Sequence, residues 1–533
     1  MASPYAKTIG NRKQTVQTSP IPGREAEMVK NNAGGYVFNV SDMSFVDRFL
    51  ILGTEGGTYY QGEKELTEQA ATKVKQVIKT NGVAVVNRAA EVSNKGLAHK
   101  NDAAIFTMAL AATYGDEATK KAVNENLSKV CRTGTHILAY TSYVNSLRGF
   151  GRCVRKGINE WYSSKGEDVD NLAYQMVKYQ NRNGWKHSDV FRLTHPKFSQ
   201  TLNNKVVKWI MQKDTKAKPA DIIEGFELAK KAENVSSLLK IIEEYELPRE
   251  AIPTQYLNDP QVWELLLQKG MPMTALLRNL SKMTSVGLLD NKPFNKNVKE
   301  ILNRLSDKEA IKKARIHPIA VLFALKTYSQ GHGIKGSLIW NPVKEIQQAL
   351  DDAFYLTFDY LEPTGKDIVY GVDVSGSMSW SNSGVLTCAE MAAAMAMALV
   401  RSEKNSYIMG FAHNFVDLKI NKKDSLQQAL KKTSILNFGG TDAAIPFTWG
   451  KKEKVKFDAC VVLTDNESYA GPIHVTQAIK DYRNWSGNAE VSLAAVGFTA
   501  TNFSVCDPKD TRQMNFVGMD AELPSAINTF IKM

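Results

Sequence analysis

Length, composition and charge place this chain among multidomain globular proteins. It has 533 residues, of which 43% are hydrophobic and 23% charged, so global disorder, collagen and a continuous coiled-coil rod are excluded. The net charge of +12 is unevenly divided, because residues 1–360 carry 50 basic and 37 acidic side chains, whereas residues 361–533 carry 17 and 18. The first two thirds therefore predict a polyanionic partner, with a merely solubilising surface as the alternative.

Cysteine usage and hydropathy indicate the compartment. Five scattered cysteines, without Cys-x-x-Cys or Cys/His ligand spacing, argue against a disulfide framework or a zinc module. The N-terminal residues lack the apolar core of a signal peptide. The longest apolar run, residues 391–400, has ten residues, whereas a membrane-spanning helix needs about 20. We expect a cytoplasmic protein without a membrane partner.

The first 360 residues predict a short tail followed by helices. Residues 1–35 are polar and are assigned to a flexible N-terminal tail. From about Glu63 onward, apolar residues recur at helical spacing in segments of 11–16 residues. Such short amphipathic helices predict an α-solenoid of stacked pairs, with an irregular bundle as the alternative because no repeat period is visible. The predicted helices include 65–79, 102–114, 117–130, 135–147 and 171–181.

The pattern changes at Glu362-Pro363-Thr364-Gly365, after which apolar strands alternate with helices. This alternation predicts one α/β domain with a doubly wound parallel sheet. The predicted strands are 367–372, 407–411, 459–463, 491–496 and 515–517. The predicted helices are 386–401, 425–432, 474–485 and 521–532.

Oxygen-bearing side chains gather at the predicted carboxyl ends of these strands. Asp373, Ser375 and Ser377 share one loop, Thr441 precedes a helix, and Asp465 follows the strand ACVVLT. Hard oxygen ligands without thiolate or imidazole suit Mg²⁺ or Mn²⁺, and octahedral geometry leaves a position for a partner's carboxylate. The alternative is a loop that satisfies its own hydrogen bonds and binds no metal.

The order of these motifs resembles the von Willebrand factor A (vWA) domain and its metal-ion-dependent adhesion site (MIDAS). The resemblance implies that the five residues are metal ligands. It also implies that Asp442 is an acid at a helix N-terminus rather than a ligand.

A basic segment between residues 131 and 213 holds 14 basic and five acidic side chains, with aromatic residues among them. Cations bind phosphates, and exposed rings stack on unpaired bases, so this composition favours nucleic acid. Lys178 and Arg182 are four apart and would share a face of one helix, with Trp185 and His187 in the following turn. Trp185 could equally wedge two helices, and His187 could satisfy a buried backbone group.

Several stretches carry a resemblance to a known family. They are 178–187 (KYQNRNGWKH), 315–318 (RIHP), 324–328 (ALKTY) and 361–366 (LEPTGK). From about Gly34 onward, the chain resembles the Ro ribonucleoprotein (SS-A/Ro autoantigen) family, whose N-terminal part is the TROVE module. We therefore divide the chain into a tail, a TROVE domain over 36–362 and a vWA domain over 363–533.

The resemblance implies a ring of HEAT-like helix pairs closed by the vWA domain. It implies binding of small structured non-coding RNA (Y RNA) on a basic outer surface and of misfolded RNA 3′ ends in the central hole, for RNA quality control. An exoribonuclease, or another protein reached through RNA or the metal site, would be a protein partner. On this reading the RNA surface includes Lys178, Arg182 and His187, and charge density extends it to Arg148, Arg152, Arg155, Lys156 and Arg192. Arg315 and His317 either contact RNA or pack where the ring closes, and the Pro318 that follows them favours packing.

Two other functions are compatible with parts of this sequence. A Mg²⁺-dependent protein-interaction scaffold would use the vWA site but leave the basic segment unexplained. A metal-dependent nuclease would need clustered carboxylates, often around two metals, whereas this site offers two aspartates and three hydroxyls. We predict no catalytic residues and no enzymatic activity.

Overall fold

The computed structural model describes most of the chain. The described residues are 14–198, 201–212, 220–334, 336–358, 361–381, 385–434 and 439–533. They form two compact units, one from residues up to Glu68 together with Phe358–Met533, and the other from Gln69–Thr357. The N-terminal residues thus belong to the same unit as the C-terminal α/β domain, a division that differs from the predicted boundaries.

The N-terminal segment, residues 14–61, is built into the first unit. It contains strand β1 (Met28–Lys30), strand β2 (Tyr36–Asn39) and helix α1 (Asp42–Leu52). Strand β2 pairs antiparallel with β1 and also with strand β10 (Phe503–Ser504) near the other end of the chain. The prediction of a flexible tail is therefore wrong for residues 14–35, because their polar groups find partners in the C-terminal domain.

Helix α2 (Glu63–Lys95) begins in the first unit, and its backbone breaks at Asn81. The second unit holds most of α2 and fifteen further described helices. They are α3 (Asp102–Tyr114), α4 (Glu117–Val130), α5 (Gly134–Leu147), α6 (Arg152–Lys165), α7 (Val169–Lys178), α8 (His187–Thr194), α9 (Thr201–Gln212), α10 (Asp221–Ala229), α11 (Val235–Tyr245), α12 (Pro260–Gln268), α13 (Met273–Ser285), α14 (Lys296–Ser306), α15 (Lys308–Lys313), α16 (Pro318–Ser329) and α17 (Lys344–Leu356).

Side-chain caps explain where many of these helices begin. Asp116, Asp168 and Asn234 each accept hydrogen bonds from backbone N–H groups of the first turn that follows. Such caps satisfy N–H groups that have no partner within the helix. No described helix of the protein is long and apolar enough to span a bilayer.

The helices pack mainly on neighbours in the chain. Helix α3 packs on α4 and α5, α4 packs on α6, α10 packs on α11, and α16 packs on α17. This arrangement confirms a helical array of the predicted kind. Within the same unit, Arg315 donates a hydrogen bond to the carbonyl oxygen of Asn94 at 2.6 Å. That contact joins early and late helices of the array, whereas closure into a ring stays a prediction.

The C-terminal domain contains a six-stranded sheet. Its strands are β5 (Ile368–Asp373), β6 (Ser406–Phe411), β7 (Phe415–Asp417), β8 (Ala459–Thr464), β9 (Ser492–Gly497) and β11 (Gln513–Val517), in the order β11-β9-β8-β5-β6-β7. All neighbours are parallel except the β6–β7 pair at the edge. The sheet is thus mixed rather than wholly parallel, because only three residues connect β6 to β7 and so short a connection forms a hairpin.

Five helices accompany the sheet: α18 (Cys388–Val400), α19 (Leu426–Ser434), α20 (Ile445–Lys452), α21 (Val475–Ser486) and α22 (Leu523–Lys532). The chain runs from β5 outward to β6 and later returns to β8 on the other side of β5. The loops that follow β5 and β8 therefore diverge between these two strands. In sheets of this type, ligands bind in the crevice at such a switch point.

Candidate metal and nucleic-acid sites

All five predicted metal ligands lie at this switch point or beside it. Asp373 ends β5, and Ser375 and Ser377 follow it in a tight loop, while Asp465 directly follows β8. The carbonyl oxygen of Thr441 accepts hydrogen bonds from the backbone N–H groups of two residues in the loop after Asp465, both at 2.9 Å. Each of the five is at most 5% exposed. We call these five residues the acidic edge.

Hydrogen bonds hold four side chains of the acidic edge together. The Ser375 backbone N–H donates to Asp373 Oδ1 at 3.0 Å, and the hydroxyls of Ser375 and Ser377 lie 3.2 Å apart. Thr464 Oγ1 donates to Asp373 Oδ2 at 2.5 Å, and the Ser377 side chain hydrogen-bonds Asp465. The structure thus brings Asp373, Ser375 and Ser377 close together, whereas their role as metal ligands stays a prediction.

The electrostatics of the acidic edge fit a divalent cation. Burial raises the pKa of both Asp373 and Asp465, and the negative charge of Asp465 raises that of Asp373 further. Two buried carboxylates that repel each other need a counter-charge, and hard oxygen ligands suit Mg²⁺ or Mn²⁺. Among the described residues, no group of three or more His, Cys, Asp or Glu side chains is placed to hold a metal. A metal site here would therefore depend on the hydroxyl oxygens as well as the two carboxylates.

Asp442 has the predicted role at the start of a helix. Its Oδ1 accepts a hydrogen bond from the Ala444 N–H at 3.0 Å, one residue before α20. The same oxygen accepts a bond from Gln17 Nε2 at 2.6 Å. Burial raises the pKa of Asp442 to about 6.

Sequence reasoning missed the residues that the N-terminal segment brings to the acidic edge. Asn32 Nδ2 donates to Glu467 Oε1 at 2.6 Å, and Glu467 is a buried acid two residues beyond Asp465. The half-buried Tyr60 has its pKa raised, first by burial and then by the negative charges of Asp465 and Glu467. The only signal in the sequence was the aromatic, glycine-rich composition of residues 36–60, which does not reveal a partner more than 300 residues away.

The basic segment of the second unit has most of its predicted cations on the surface. Arg148, Arg152, Arg155, Lys156 and Arg192 are all exposed. Lys156 lies 3.6 Å from Glu160, and Arg192 lies 3.3 Å from Asp189. Exposed ion pairs of this kind stabilise a protein little and exchange readily for phosphate contacts.

Lys178 and Arg182 do not lie on one helix, so the prediction of a shared helix face is wrong. Helix α7 ends at Lys178, and Arg182 lies in a short hairpin of β3 (Asn181–Arg182) and β4 (Trp185–Lys186). Asn183 and Gly184 form the turn with positive φ angles of 51° and 79°, because Asn-Gly is suited to a two-residue hairpin. This turn pairs Arg182 with Trp185 across the hairpin.

The two cations differ in accessibility. The Lys178 ammonium donates to the Tyr174 hydroxyl at 2.7 Å and lies 5.0 and 5.6 Å from the ring centres of Tyr174 and Tyr179. The Arg182 side chain is 48% exposed and lies 3.7 Å from Asp102. Arg182 can therefore reach a phosphate directly, whereas Lys178 is held against two aromatic rings.

His187 is not on the surface, so its placement in an RNA-binding face is wrong. It is 3% exposed, with Nδ1 2.8 Å from the Tyr162 hydroxyl and Nε2 2.8 Å from the Tyr179 carbonyl oxygen. The carbonyl can only accept, so Nε2 carries the proton and Nδ1 accepts from Tyr162. Desolvation lowers the pKa of His187 to about 4. A neutral imidazole whose two nitrogens are both hydrogen-bonded within the protein stabilises the fold and does not bind phosphate.

The two residues left undecided by the sequence pack within the helical unit. Beside the contact between Arg315 and Asn94, His317 Nε2 lies 3.4 Å from the Leu97 carbonyl oxygen. The ring centres of His317 and His99 are 5.6 Å apart. Desolvation and the neighbouring His99 lower the pKa of His317 to about 3. His317 is therefore enclosed within the helical unit, whereas Arg315 is exposed and makes one backbone contact, so its role stays open.

Comparison with known proteins adds family membership to this geometry. The TROVE domain family matches residues 29–327, which is more than half of the chain, and the Ro60 vWA domain family matches residues 368–531. The chain belongs to the Ro family. A Ro relative from Deinococcus radiodurans, named RNA-binding protein RO60, is 36% identical over 529 residues, covering 98% of this chain and 97% of that protein.

Other Ro proteins support the same assignment. RNA-binding protein RO60 of Caenorhabditis elegans is 32% identical over 583 residues, covering 94% of this chain and 90% of that protein. The crystal structure of the Deinococcus radiodurans Ro (RSR) protein superimposes with a TM-score of 0.70 at 36% identity, covering 92% of this chain and 99% of that one. These Ro relatives carry names of RNA-binding proteins rather than of enzymes.

Proposed function

We propose that this Ro-family protein binds RNA through exposed cations of its helical unit. The observation that carries the proposal is the group of exposed basic residues on α6 and around it, in a chain whose near full-length relatives are named RNA-binding proteins. Arg152, Arg155 and Lys156 lie on one helix and are all exposed. Each can contact a backbone phosphate, and such contacts fix an RNA without reading its sequence.

The proposed RNA is a small structured non-coding RNA of the Y type, with single-stranded 3′ ends of misfolded RNA as a second ligand. This would place the protein in RNA quality control, where an exoribonuclease could act on the bound RNA. The alternation of exposed cations with the half-buried rings of Tyr174 and Trp185 supports contacts to both phosphates and unpaired bases. The proposed function contains no catalytic step in this chain.

Purification from the native cells tests the proposal. The protein is isolated at moderate salt, and the RNA that accompanies it is extracted and sized. We expect a discrete small RNA, whose yield falls in an Arg152→Ala/Arg155→Ala/Lys156→Ala variant and is unchanged in a variant that lacks three exposed lysines of the other unit, Lys422→Ala/Lys451→Ala/Lys452→Ala. Absence of RNA from the wild-type protein would contradict the proposal.

We propose further that the acidic edge binds Mg²⁺ or Mn²⁺. Asp373, Ser375, Ser377, Thr441 and Asp465 would hold the ion, which would supply the positive charge that two buried carboxylates require. A protein partner with an exposed carboxylate could then bind at this edge, as the scaffold interpretation requires. Calorimetric titration of the chelator-treated, metal-free protein with Mn²⁺ tests this proposal, and a protein that binds no Mn²⁺ in this titration would contradict it.

A further inference from the structure

One phenylalanine of the helical unit has no place in its core. Phe294, in the loop between α13 and α14, is fully exposed to solvent. Its backbone φ is 68°, in the left-handed region where a bulky side chain is an outlier. Neither burial nor backbone preference therefore explains a phenylalanine at this position. Residues held in such strained conformations are concentrated at functional sites.

Hydrogen bonds on both sides of Phe294 fix the loop that carries it. After the ring, Asn295 Nδ2 donates to Asp290 Oδ1 at 2.9 Å. Before it, Asn291 Nδ2 donates to the Pro342 carbonyl oxygen at 3.3 Å, and Asn291 Oδ1 accepts from the backbone N–H at the start of α17 at 3.2 Å. The loop is thus tied to a second loop of the same unit. A ring held in advance in one place loses little conformational freedom when a ligand binds it.

Two lysines flank the exposed ring. Lys292 and Lys296 lie two residues before and two residues after Phe294, and their side chains are 83% and 75% exposed. Their ammonium groups lie 3.2 Å from Asp290 and 2.8 Å from Glu264. Exposed ion pairs contribute little to stability, so both lysines can turn to a phosphate at small cost. The loop therefore combines one flat apolar face with two mobile positive charges.

These surroundings favour a nucleotide over a protein as the partner of the ring. The cores of protein interfaces are depleted in lysine, and their aromatic anchors are enclosed by other packed side chains. Around Phe294 the exposed residues of the loop are Asn291, Lys292, Pro293 and Lys296. An unpaired base offers a flat face to the ring and phosphates to the lysines. A base inside a duplex is already stacked on both faces and does not fit.

We propose that Phe294 stacks on an unpaired base of the RNA that the helical unit binds, with Lys292 and Lys296 on the neighbouring phosphates. The inference rests on the RNA binding proposed above and adds a contact outside the basic segment of residues 131–213. Stacking on an aromatic ring tolerates any base. The loop therefore distinguishes single-stranded from double-stranded RNA and does not read sequence.

The test compares a single-stranded RNA with a blunt-ended RNA duplex, both titrated against the full-length protein. The single strand has about 12 nucleotides, within the range of single-strand sites, and carries 2-aminopurine, whose fluorescence is quenched on stacking. We expect Phe294→Ala to weaken binding of the single strand about tenfold, the size of one lost stack, to reduce the quenching and to leave duplex binding unchanged. The control is Ile339→Ala, which removes another exposed apolar side chain of the unit and should behave like the wild type.

Further variants separate the ring from its apolar surface and from the charges. Phe294→Leu keeps an apolar side chain but loses the flat face, so it should weaken single-strand binding about as much as Phe294→Ala. Lys292→Ala/Lys296→Ala should make the slope of log affinity against log salt shallower by about 1.4, at roughly 0.7 per phosphate contact, whereas Phe294→Ala should leave the slope unchanged. Because these side chains are exposed, the Tm of each variant should equal that of the wild type.

The outcomes distinguish this inference from the function on which it rests. If the wild type binds the single strand and Phe294→Ala binds it with equal affinity and equal quenching, the inference alone is overturned and a protein becomes the better partner for the ring. Full affinity in Phe294→Leu would likewise exclude stacking. If the wild type binds neither RNA, the proposed RNA binding is overturned, and the inference with it.

Discussion

The acidic edge and the basic helical surface differ in how much of their charge is buried. At the acidic edge every residue is at most 5% exposed, and the negative charge of Asp465 raises the pKa of Asp373. On the helical surface Arg152, Arg155 and Lys156 are open to solvent. A buried charge requires one partner of definite size and sign, whereas exposed charges act collectively on any polyanion. Single substitutions should therefore abolish function at the first region and only weaken it at the second.

The sharpest test of this contrast is Asp373→Ala. The change removes one of two carboxylates at the acidic edge, and we expect Mn²⁺ affinity to fall by more than about 100-fold, since even outer-shell partners cost about 10–100-fold. The fold should persist, because the substitution also removes repulsion between buried carboxylates. Calorimetry gives the affinity and thermal unfolding the stability. Ser379→Ala, an exposed residue of the same loop, is the control, and unchanged metal affinity in Asp373→Ala would refute the site.

A smaller loss of binding affinity is expected from substitutions on the helical surface. The triple variant Arg152→Ala/Arg155→Ala/Lys156→Ala should weaken RNA binding while leaving the fold intact. On single-stranded RNA, three lost phosphate contacts should make the slope of log affinity against log salt shallower by about 2, at roughly 0.7 per contact. Filter binding over a range of salt concentrations measures this slope.

The control for the triple variant removes the same charge from the other unit. Lys422→Ala/Lys451→Ala/Lys452→Ala replaces three exposed lysines of the C-terminal domain. If this variant changed the slope as much as the α6 triple does, net charge rather than a defined surface would explain RNA binding.

Substitutions of two residues of α8 should distinguish a side chain that stabilises the fold from one that contacts RNA. His187→Ala leaves the Tyr162 hydroxyl and the Tyr179 carbonyl without their partner, which should cost about 1–3 kcal/mol of stability and lower the Tm by several degrees. Arg192→Ala, five residues on and exposed, should leave the Tm unchanged and make the salt slope slightly shallower. Thermal unfolding and salt-dependent RNA binding of both variants test this assignment. A His187→Ala protein with unchanged stability but a shallower salt slope would show that His187 does contact RNA.

The lowered pKa of His187 predicts that the stability of the helical unit depends on pH. Its pKa is about 4 in the folded protein and 6.5 when exposed. Between pH 4 and pH 6.5 the unfolded chain therefore binds a proton that the folded protein does not bind. Stability should therefore be complete above pH 6.5 and decrease as the pH falls toward 4, by at most about 1.4 kcal/mol per pH unit for each such group. His136 shifts in the same direction, to about 4. Urea unfolding at pH 7 and pH 5 measures the decrease, which His187→Ala should reduce; equal stability at both values would contradict the prediction.

A loss of stability similar to that of His187→Ala is expected in the N-terminal segment. Gln17→Ala removes the bridge between Asp442 and Ser468, and we expect a loss of about 1–3 kcal/mol because these buried groups lose a partner. Gln14, whose Nε2 donates an exposed hydrogen bond of 3.4 Å to Asp481, provides the control Gln14→Ala. Denaturant unfolding compares the two, and equal stabilities would show that residues near Gln17 are not part of the domain's core.

The sequence predicted local features well and long-range ones poorly. The five residues of the acidic edge were found because Asp-x-Ser-x-Ser and a strand-terminal aspartate are local patterns placed by the alternation of strands and helices. The hairpin after α7 could have been read from Asn183-Gly184, but helical spacing was preferred. The burial of His187 depends on Tyr162, which lies 25 residues earlier. The pairing of β2 with β10 had no local signal at all, since each of the two strands has at most four residues.

That pairing has a consequence for synthesis on the ribosome. Asn39 is opposite Phe503, and the buried guanidinium of Arg48 donates hydrogen bonds to the carbonyl oxygens of Thr501 and Phe503. At about 5–20 residues per second, translation separates the emergence of these groups by roughly half a minute to a minute and a half. Residues 14–61 are thus made long before the strand with which they pair, and the helical unit between them can fold in the meantime. Nascent chains of this protein should keep residues 14–61 accessible to chaperones and proteases until β10 has left the exit tunnel.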